Sequence, residues 1–268
     1  MLAAFERVAA AFGHTKADAR QLFGLLPPDL RAAPVALSKL GERWVYAFGR
    51  PYTGFAKGTV VLGTPQIPPV AQLYRTVFAV SRYFSATDQV KLYGQLGQEA
   101  KHMDFLEELA PICRLQGAAR VQYEVAGEGK QRIDFQIDVD GKRPILLEVK
   151  YRCKDLIHYL DHFTKNEALG KPLEEIPPPE PEWLFASVVE KFKPVPFETQ
   201  AQGVWVYAGV AQVETRLRNY FDQLDSDRLH FAVLSAGEER AYVLARSPEI
   251  RDFVQRFFDL THHQDSVR

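Results

Sequence analysis

Cysteine is nearly missing from this chain: Cys113 and Cys153 are the only two in 268 residues. They exclude a disulfide framework and provide no CxxC metal spacing, so a reducing, cytoplasmic setting is expected. Long apolar runs are missing too. None approaches the roughly 18 residues that a membrane-crossing helix needs, and no membrane partner is expected. The opening stretch MLAAFERVAAAFGH places Glu6 and Arg7 where a signal peptide would stay apolar, and it is expected to be a short helix. A dominant charge of one sign is also lacking, since the formal net charge is −1. What remains is ordinary globular material, 46% hydrophobic and 25% charged, with ample apolar content for a core.

The near-neutral total hides an asymmetry. Residues 1–95 carry eleven Lys or Arg against five Asp or Glu, a balance of +6, and the rest of the chain carries −7. The N-terminal third is therefore the better surface for an anionic partner, unless the excess is simply spread over a solvated face. Short helices broken at Pro27-Pro28 and Pro34 are expected over residues 1–40, then extended runs at 44–48 and 59–62. After Pro68-Pro69 a helix should reach about Phe84. A second should begin at Thr87 or Asp88 and run to about Ala110, before Pro111.

Strands are expected at about 119–126, 131–139 and 144–150, and a helix from Lys154 to Ala168. The proline-rich stretch 171–200 reads as an insertion or lid with a short helix near Trp183–Lys191. A strand (204–210), a helix (213–224), a hairpin (230–234 and 241–245) and a last helix from Pro248 complete the order. This alternation makes the chain α/β, a mixed sheet flanked by helices with an N-terminal helical-plus-strand region. Residues 1–86 form the expected N-terminal, basic region and 87–268 the core.

The chemistry concentrates in Arg132–Lys150. Ile133, Phe135, Ile137 and Val139 alternate with Asp134, Gln136, Asp138 and Asp140, and Asp140-Gly141 signals a turn. On the returning strand Ile145, Leu147 and Val149 share one face, and Leu146, Glu148 and Lys150 the other. Both apolar sets face one core when Val139 pairs with Arg143, a register that sets Asp134 opposite Glu148. Two carboxylates on neighbouring strands repel, and a hard divalent cation, Mg²⁺ above all or Mn²⁺, relieves that repulsion. Lys150 on the same face can then orient a water or offset phosphate charge. The plainer alternative is a cross-strand cluster on a solvated face, with Lys150 pairing to Glu148.

Asp134, a 13-residue gap and then Glu148-Val149-Lys150 closing a hydrophobic strand resemble the PD-(D/E)XK nuclease superfamily. Ile133 stands where the motif's proline would be, and no Gln-x-x-x-Tyr element follows Lys150. The resemblance implies a restriction-endonuclease-like α-β-β-β-α-β core within residues 88–210. It further implies metal-dependent phosphodiester hydrolysis, with DNA as the expected substrate. Asp134 and Glu148 would bind the metal, the Val149 carbonyl would add a ligand, and Lys150 would assist the water. A non-catalytic nucleic-acid-binding or assembly protein, or an RNA-cleaving enzyme, are the alternatives. A homo-oligomer or a protein partner fits any of these.

Such sites often take a further carboxylate from the preceding helix. Leu92, Leu96, Met103, Leu106, Ala110 and Cys113 mark one stripe of a continuous helix, and Glu99 falls inside it while Glu107 and Glu108 fall outside. Glu99 is therefore the expected helical ligand, unless it marks the stripe's wet end. Arg152 and Lys154 continue the Lys150 face and could contact phosphate, or could be ordinary charges at a strand–helix junction. His158 and His162, Cys153, and the basic–aromatic stretch Arg50–Lys57 carry weaker signals, and Gln136 is a possible support for Asp134.

Overall fold

The computed structural model describes residues 2–28, 31, 39–40, 43–44, 70–98, 102–139, 143–150, 181–207, 213–235 and 241–260. They fall into two compact units, Met1–Cys113 and Arg114–Arg268. The division lies later than the expected 86/87 boundary, because the helices from residue 70 to 109 pack among themselves and with the first two.

In the first unit α1 (Leu2–Ala11) and α2 (Lys16–Gly24) precede a two-residue hairpin, β1 (Lys39–Leu40) with β2 (Arg43–Trp44). The longer strands expected at 44–48 and 59–62 otherwise lie outside the described residues. α3 (Val70–Tyr83), α4 (Ala86–Leu96) and α5 (His102–Leu109) follow. Phe5, Leu22, Leu73, Val77, Val80, Leu92, Leu96 and Leu106 are buried, the apolar stripes meeting as amphipathic helices require. The Tyr93 hydroxyl donates to the Val77 carbonyl, and the Gln72 amide reaches Glu107 at 3.5 Å.

Ser85, not Thr87 or Asp88, caps α4: its hydroxyl oxygen accepts the Asp88 N–H at 3.2 Å and its proton goes to the Asp88 carboxylate. The expected single helix to Ala110 is two helices. α4 ends at Leu96, and Gly97 lies so close to Pro27 that a Cβ would sit 2.8 Å from the proline ring. This break removes the continuous 100° progression that put Glu99 on a common stripe with Leu106.

The second unit is built on a six-stranded mixed sheet whose spatial order follows the sequence: β3 (Arg120–Ala126), β4 (Arg132–Asp138), β5 (Ile145–Lys150), β6 (Ala201–Tyr207), β7 (Phe231–Ser235) and β8 (Ala241–Ala245). β3, β4 and β5 pair antiparallel, β5–β6 and β6–β7 pair parallel, and β8 returns antiparallel. The parallel neighbours require crossovers, and helices α6 (Pro181–Val189) and α7 (Val213–Gln223) lie within them. The final helix, α8 (Pro248–Phe257), starts from a Ser247 cap with proline in its first turn. The helix expected at 154–168 lies outside the described residues.

One core cluster joins Leu146, Val204, Val206, Ala232 and Leu234 to Phe185 and Val188 of α6, Phe192 beyond it and Phe221 of α7. The stretch 171–200, expected as an insertion or lid with a short helix near Trp183–Lys191, carries that helix as α6. Phe185, Val188 and Phe192 are fully buried, so one face of this segment packs into the core while Ala186 and Ser187 are exposed. On β5 every residue but Lys150 is buried, as expected of a central strand covered on both faces. β6 begins three residues earlier than its sequence pattern indicated, at Ala201. Among the described residues no helix is long and apolar enough to cross a membrane.

Gly203 on β6 lies directly beneath the Phe231 ring of β7, and a Cβ there would come within 2.2 Å of it. Phe231 is fully buried and cannot swing into solvent. Gly203→Ala should therefore cost roughly 1–3 kcal/mol as an overpacking change, read as a lower denaturant midpoint with an unchanged slope. An unaltered midpoint would show that the ring has room to retreat.

Candidate active site

The β4–β5 register is the one the hydrophobic pattern required: Phe135 pairs with Leu147, Gln136 with Leu146 and Ile137 with Ile145. Continued one step, it brings Asp134 level with Glu148. At that step the ribbon changes character. On β3 the residue opposite Asp134 is Glu124, whose φ of 54° is left-handed and foreign to an extended strand. Beyond it Ile133 joins the cluster containing Leu146, Phe185 and Val188, where simple alternation had placed it with Phe135 and Ile137. The register of β3 with β4 is the same on both sides of Glu124, so the left-handed residue adds no extra residue to the ladder.

Asp134 sits at this step and points toward β5, where its Oδ2 accepts the Val149 backbone N–H at 2.7 Å. Burial, and after it the neighbouring Glu148 charge, push the Asp134 carboxyl up to about 7, against the lowering effects of the Val149 N–H, Lys191 and Lys150.

Glu148 is the most confined charge of the group, only 1% exposed. Its Oε1 accepts the Lys150 ammonium at 2.7 Å and also that of Lys191, in a shorter hydrogen bond. Its Oε2 is buried and, among the described residues, has no hydrogen-bond partner. The Lys150–Glu148 pair anticipated by the plainer reading is therefore present, but on a buried carboxylate and not on a solvated face.

Lys191 escaped the sequence reading. It lies 43 residues from Glu148, just past α6, in the stretch set aside as a lid. No local pattern marks it, because only the crossover from β5 to β6 brings it to the end of β5. Its backbone is held on two sides: its N–H donates to the Val188 carbonyl at 2.9 Å, and its carbonyl accepts the Glu128 N–H at 2.7 Å. Gly127 permits that approach, since a Cβ there would lie 2.6 Å from the Lys191 oxygen.

Gln136 does not support Asp134. Its amide donates to Asp138 at 3.0 Å, and the Gln122 amide reaches the same carboxylate. Glu99, Arg152, Lys154, Cys153, His158, His162 and the Arg50–Lys57 stretch lie outside the described residues. The site thus contains Asp134, Glu148, Lys150 and Lys191, with Val149 contributing its amide. Among the described residues no group of three or more His, Cys, Asp or Glu side chains is placed to hold a metal. Asp134 and Glu148 are a two-carboxylate set, which hard cations such as Mg²⁺ complete with water. Comparison with known protein families, with curated proteins and with solved structures found no match.

The raised Asp134 pKa gives a stability signature. The folded chain holds this proton up to about pH 7, while an unfolded aspartate releases it near about pH 4. The contribution is therefore complete below about pH 4 and is lost as pH rises through about 7. In metal-free buffer Asp134→Asn, which keeps an acceptor for the Val149 N–H, should raise the melting temperature at pH 8 and change it little at pH 4. An equal effect at both pH values would show that Asp134 is not held protonated by the fold.

Proposed function

We propose that the second unit is a metal-dependent nuclease of restriction-endonuclease-like fold, hydrolysing phosphodiester bonds of DNA with Mg²⁺ or Mn²⁺. The observation that carries the reading is the Glu148 carboxylate, buried at the end of a central strand beside Asp134, with one oxygen doubly bonded by lysines and the other bare. A buried carboxylate oxygen without a donor costs free energy, and a cation shared with Asp134 supplies the missing partner. The donor set suits Mg²⁺ or Mn²⁺: carboxylate oxygens, with room for a backbone carbonyl such as that of Val149.

Bound there, the ion would polarise a phosphate oxygen and lower the pKa of a coordinated water. The chain's own groups do the rest. Asp134 and Glu148 hold the ion, and the Val149 N–H fixes the Asp134 carboxylate in place. Lys150, whose side chain is 25% exposed, orients the attacking water. The water oxygen forms a bond to phosphorus, the bond to the leaving sugar oxygen breaks, and a water proton ends on that oxygen through solvent. The sequence expectation of Glu99 as a helical ligand, with Arg152 and Lys154 as phosphate contacts, belongs to this proposal. So does a docking role for the basic N-terminal stretch.

The competing reading takes the double lysine contact at face value. Two ammoniums already neutralise Glu148, and the fold would then serve binding or assembly without catalysis. Mn²⁺ calorimetry on the full chain, with cleavage assays on plasmid, single-stranded DNA and RNA, separates the readings. Saturable Mn²⁺ binding that Asp134→Ala abolishes, and DNA cleavage that a chelator stops, are expected. Lys150→Ala should slow cleavage at least about tenfold, within the range of one acid–base group, while Mn²⁺ still binds. Absence of Mn²⁺ binding by the wild-type chain would reject the nuclease reading, and cleavage of RNA alone would redirect it.

A further inference from the structure

Lys150 and Lys191 converge on one oxygen. Both ammoniums reach Glu148 Oε1, and Oε2 of the same carboxylate stays without a donor. Two lysines acting only as counter-ions would do better with one oxygen each, which would separate their charges and satisfy both lone-pair sets. The crowding also leaves a positive surplus, because Glu148 carries one negative charge against two ammoniums. With both carboxylates ionised and a divalent cation between them, the four side chains and the ion sum to +2, a site for an anion.

Placement tells the same way. The Lys191 side chain is 19% exposed while Glu148 is 1% exposed, so the buried carboxylate is met by a side chain that also reaches solvent. Its backbone is fixed by Glu128 and Val188, with Gly127 making room, so the charge is delivered from a rigid base. The fixed backbone limits where the flexible lysine stem can carry its charge, and an ammonium within reach of a reacting phosphate stabilises the charge that develops there.

We infer that Lys191 is a further catalytic residue of the proposed nuclease site: when a divalent cation occupies Asp134 and Glu148, its ammonium leaves Glu148 Oε1 and binds a non-bridging oxygen of the scissile phosphate. The inference rests on the nuclease reading. Lys191 donates a hydrogen bond and keeps its proton, and Lys150 is left to serve the water. Because Lys191 competes with the cation for Glu148, removing it relieves that competition.

The test uses the 268-residue chain and Lys191→Met, which keeps an unbranched apolar stem and removes the ammonium. Mn²⁺ affinity by calorimetry should be equal to wild type or several-fold tighter, with the melting temperature in saturating Mn²⁺ unchanged. Single-turnover cleavage of DNA should fall about 10²-fold, the scale of losing one preplaced donor. Cleavage within threefold of wild type would overturn the inference, as would joint loss of Mn²⁺ binding and of the melting temperature, which marks a structural counter-ion.

A crystal structure of the wild-type chain with Ca²⁺ and a short DNA duplex gives a readout that needs no variant. Lys191 Nζ within about 3.2 Å of a scissile-phosphate oxygen supports the role, and Nζ still on Glu148 overturns it. A wild-type chain that neither binds Mn²⁺ nor cleaves rejects the nuclease reading and this inference together. A wild type that cleaves, matched by an equally active Lys191→Met, rejects the role of Lys191 alone.

Discussion

A single carboxylate, Glu148, sets the terms for the end of the sheet around it. Taking an ionised carboxylate out of water costs several kcal/mol even after relaxation. At 1% exposure Glu148 can meet that cost only through its neighbours. Lys150 comes from the same strand, two residues on, and Lys191 comes from the far side of the crossover. The ion cluster therefore ties α6 and the β3–β4 hairpin to the centre of the sheet. Breaking it by removing a cation would strand a buried charge, the situation in which a buried pair matters most.

Asp134 stands where the β3–β4 ribbon is least regular. Gln136, on the same strand, turns to Asp138. Asp134 Oδ2 meets the Val149 amide, and the residue opposite it on β3, Glu124, is left-handed. A left-handed backbone residue beside an acid held up to about 7 by burial and a neighbouring charge is a combination that folding alone does not favour. It is consistent with a site whose missing stabilisation comes from outside the chain.

The same arrangement accounts for an acidic unit being proposed to act on an anionic polymer. Residues 96–268 carry 22 Lys or Arg against 29 Asp or Glu. Average charge governs long-range attraction, but screening confines it to about 8–10 Å at physiological salt. At contact distance the two ammoniums of Lys150 and Lys191 stand against Glu148 and against Asp134, which holds its proton up to about pH 7. Local chemistry at the sheet end is thus compatible with phosphate where the overall balance is not.

Much of this was legible in the residues themselves. Alternation in Arg132–Lys150 required the β4–β5 register, because a one-residue slip would turn every apolar side chain outward. The all-apolar run into Glu148 marked a buried central strand, and helical stretches between strands marked a mixed α/β layer. Local pattern misled where a close approach decided the outcome. Gly97 against Pro27 ended a helix whose stripe seemed continuous, and Phe185, Val188 and Phe192 buried a proline-flanked stretch that looked like a lid. Sequence alone determined the β4–β5 and β7–β8 pairings and which acids share the β4–β5 edge, since period and polarity are properties of neighbouring residues. Only the tertiary structure decided that β5, β6 and β7 lie side by side and that Lys191 meets Glu148. Those depend on crossover geometry, which no spacing along the chain encodes.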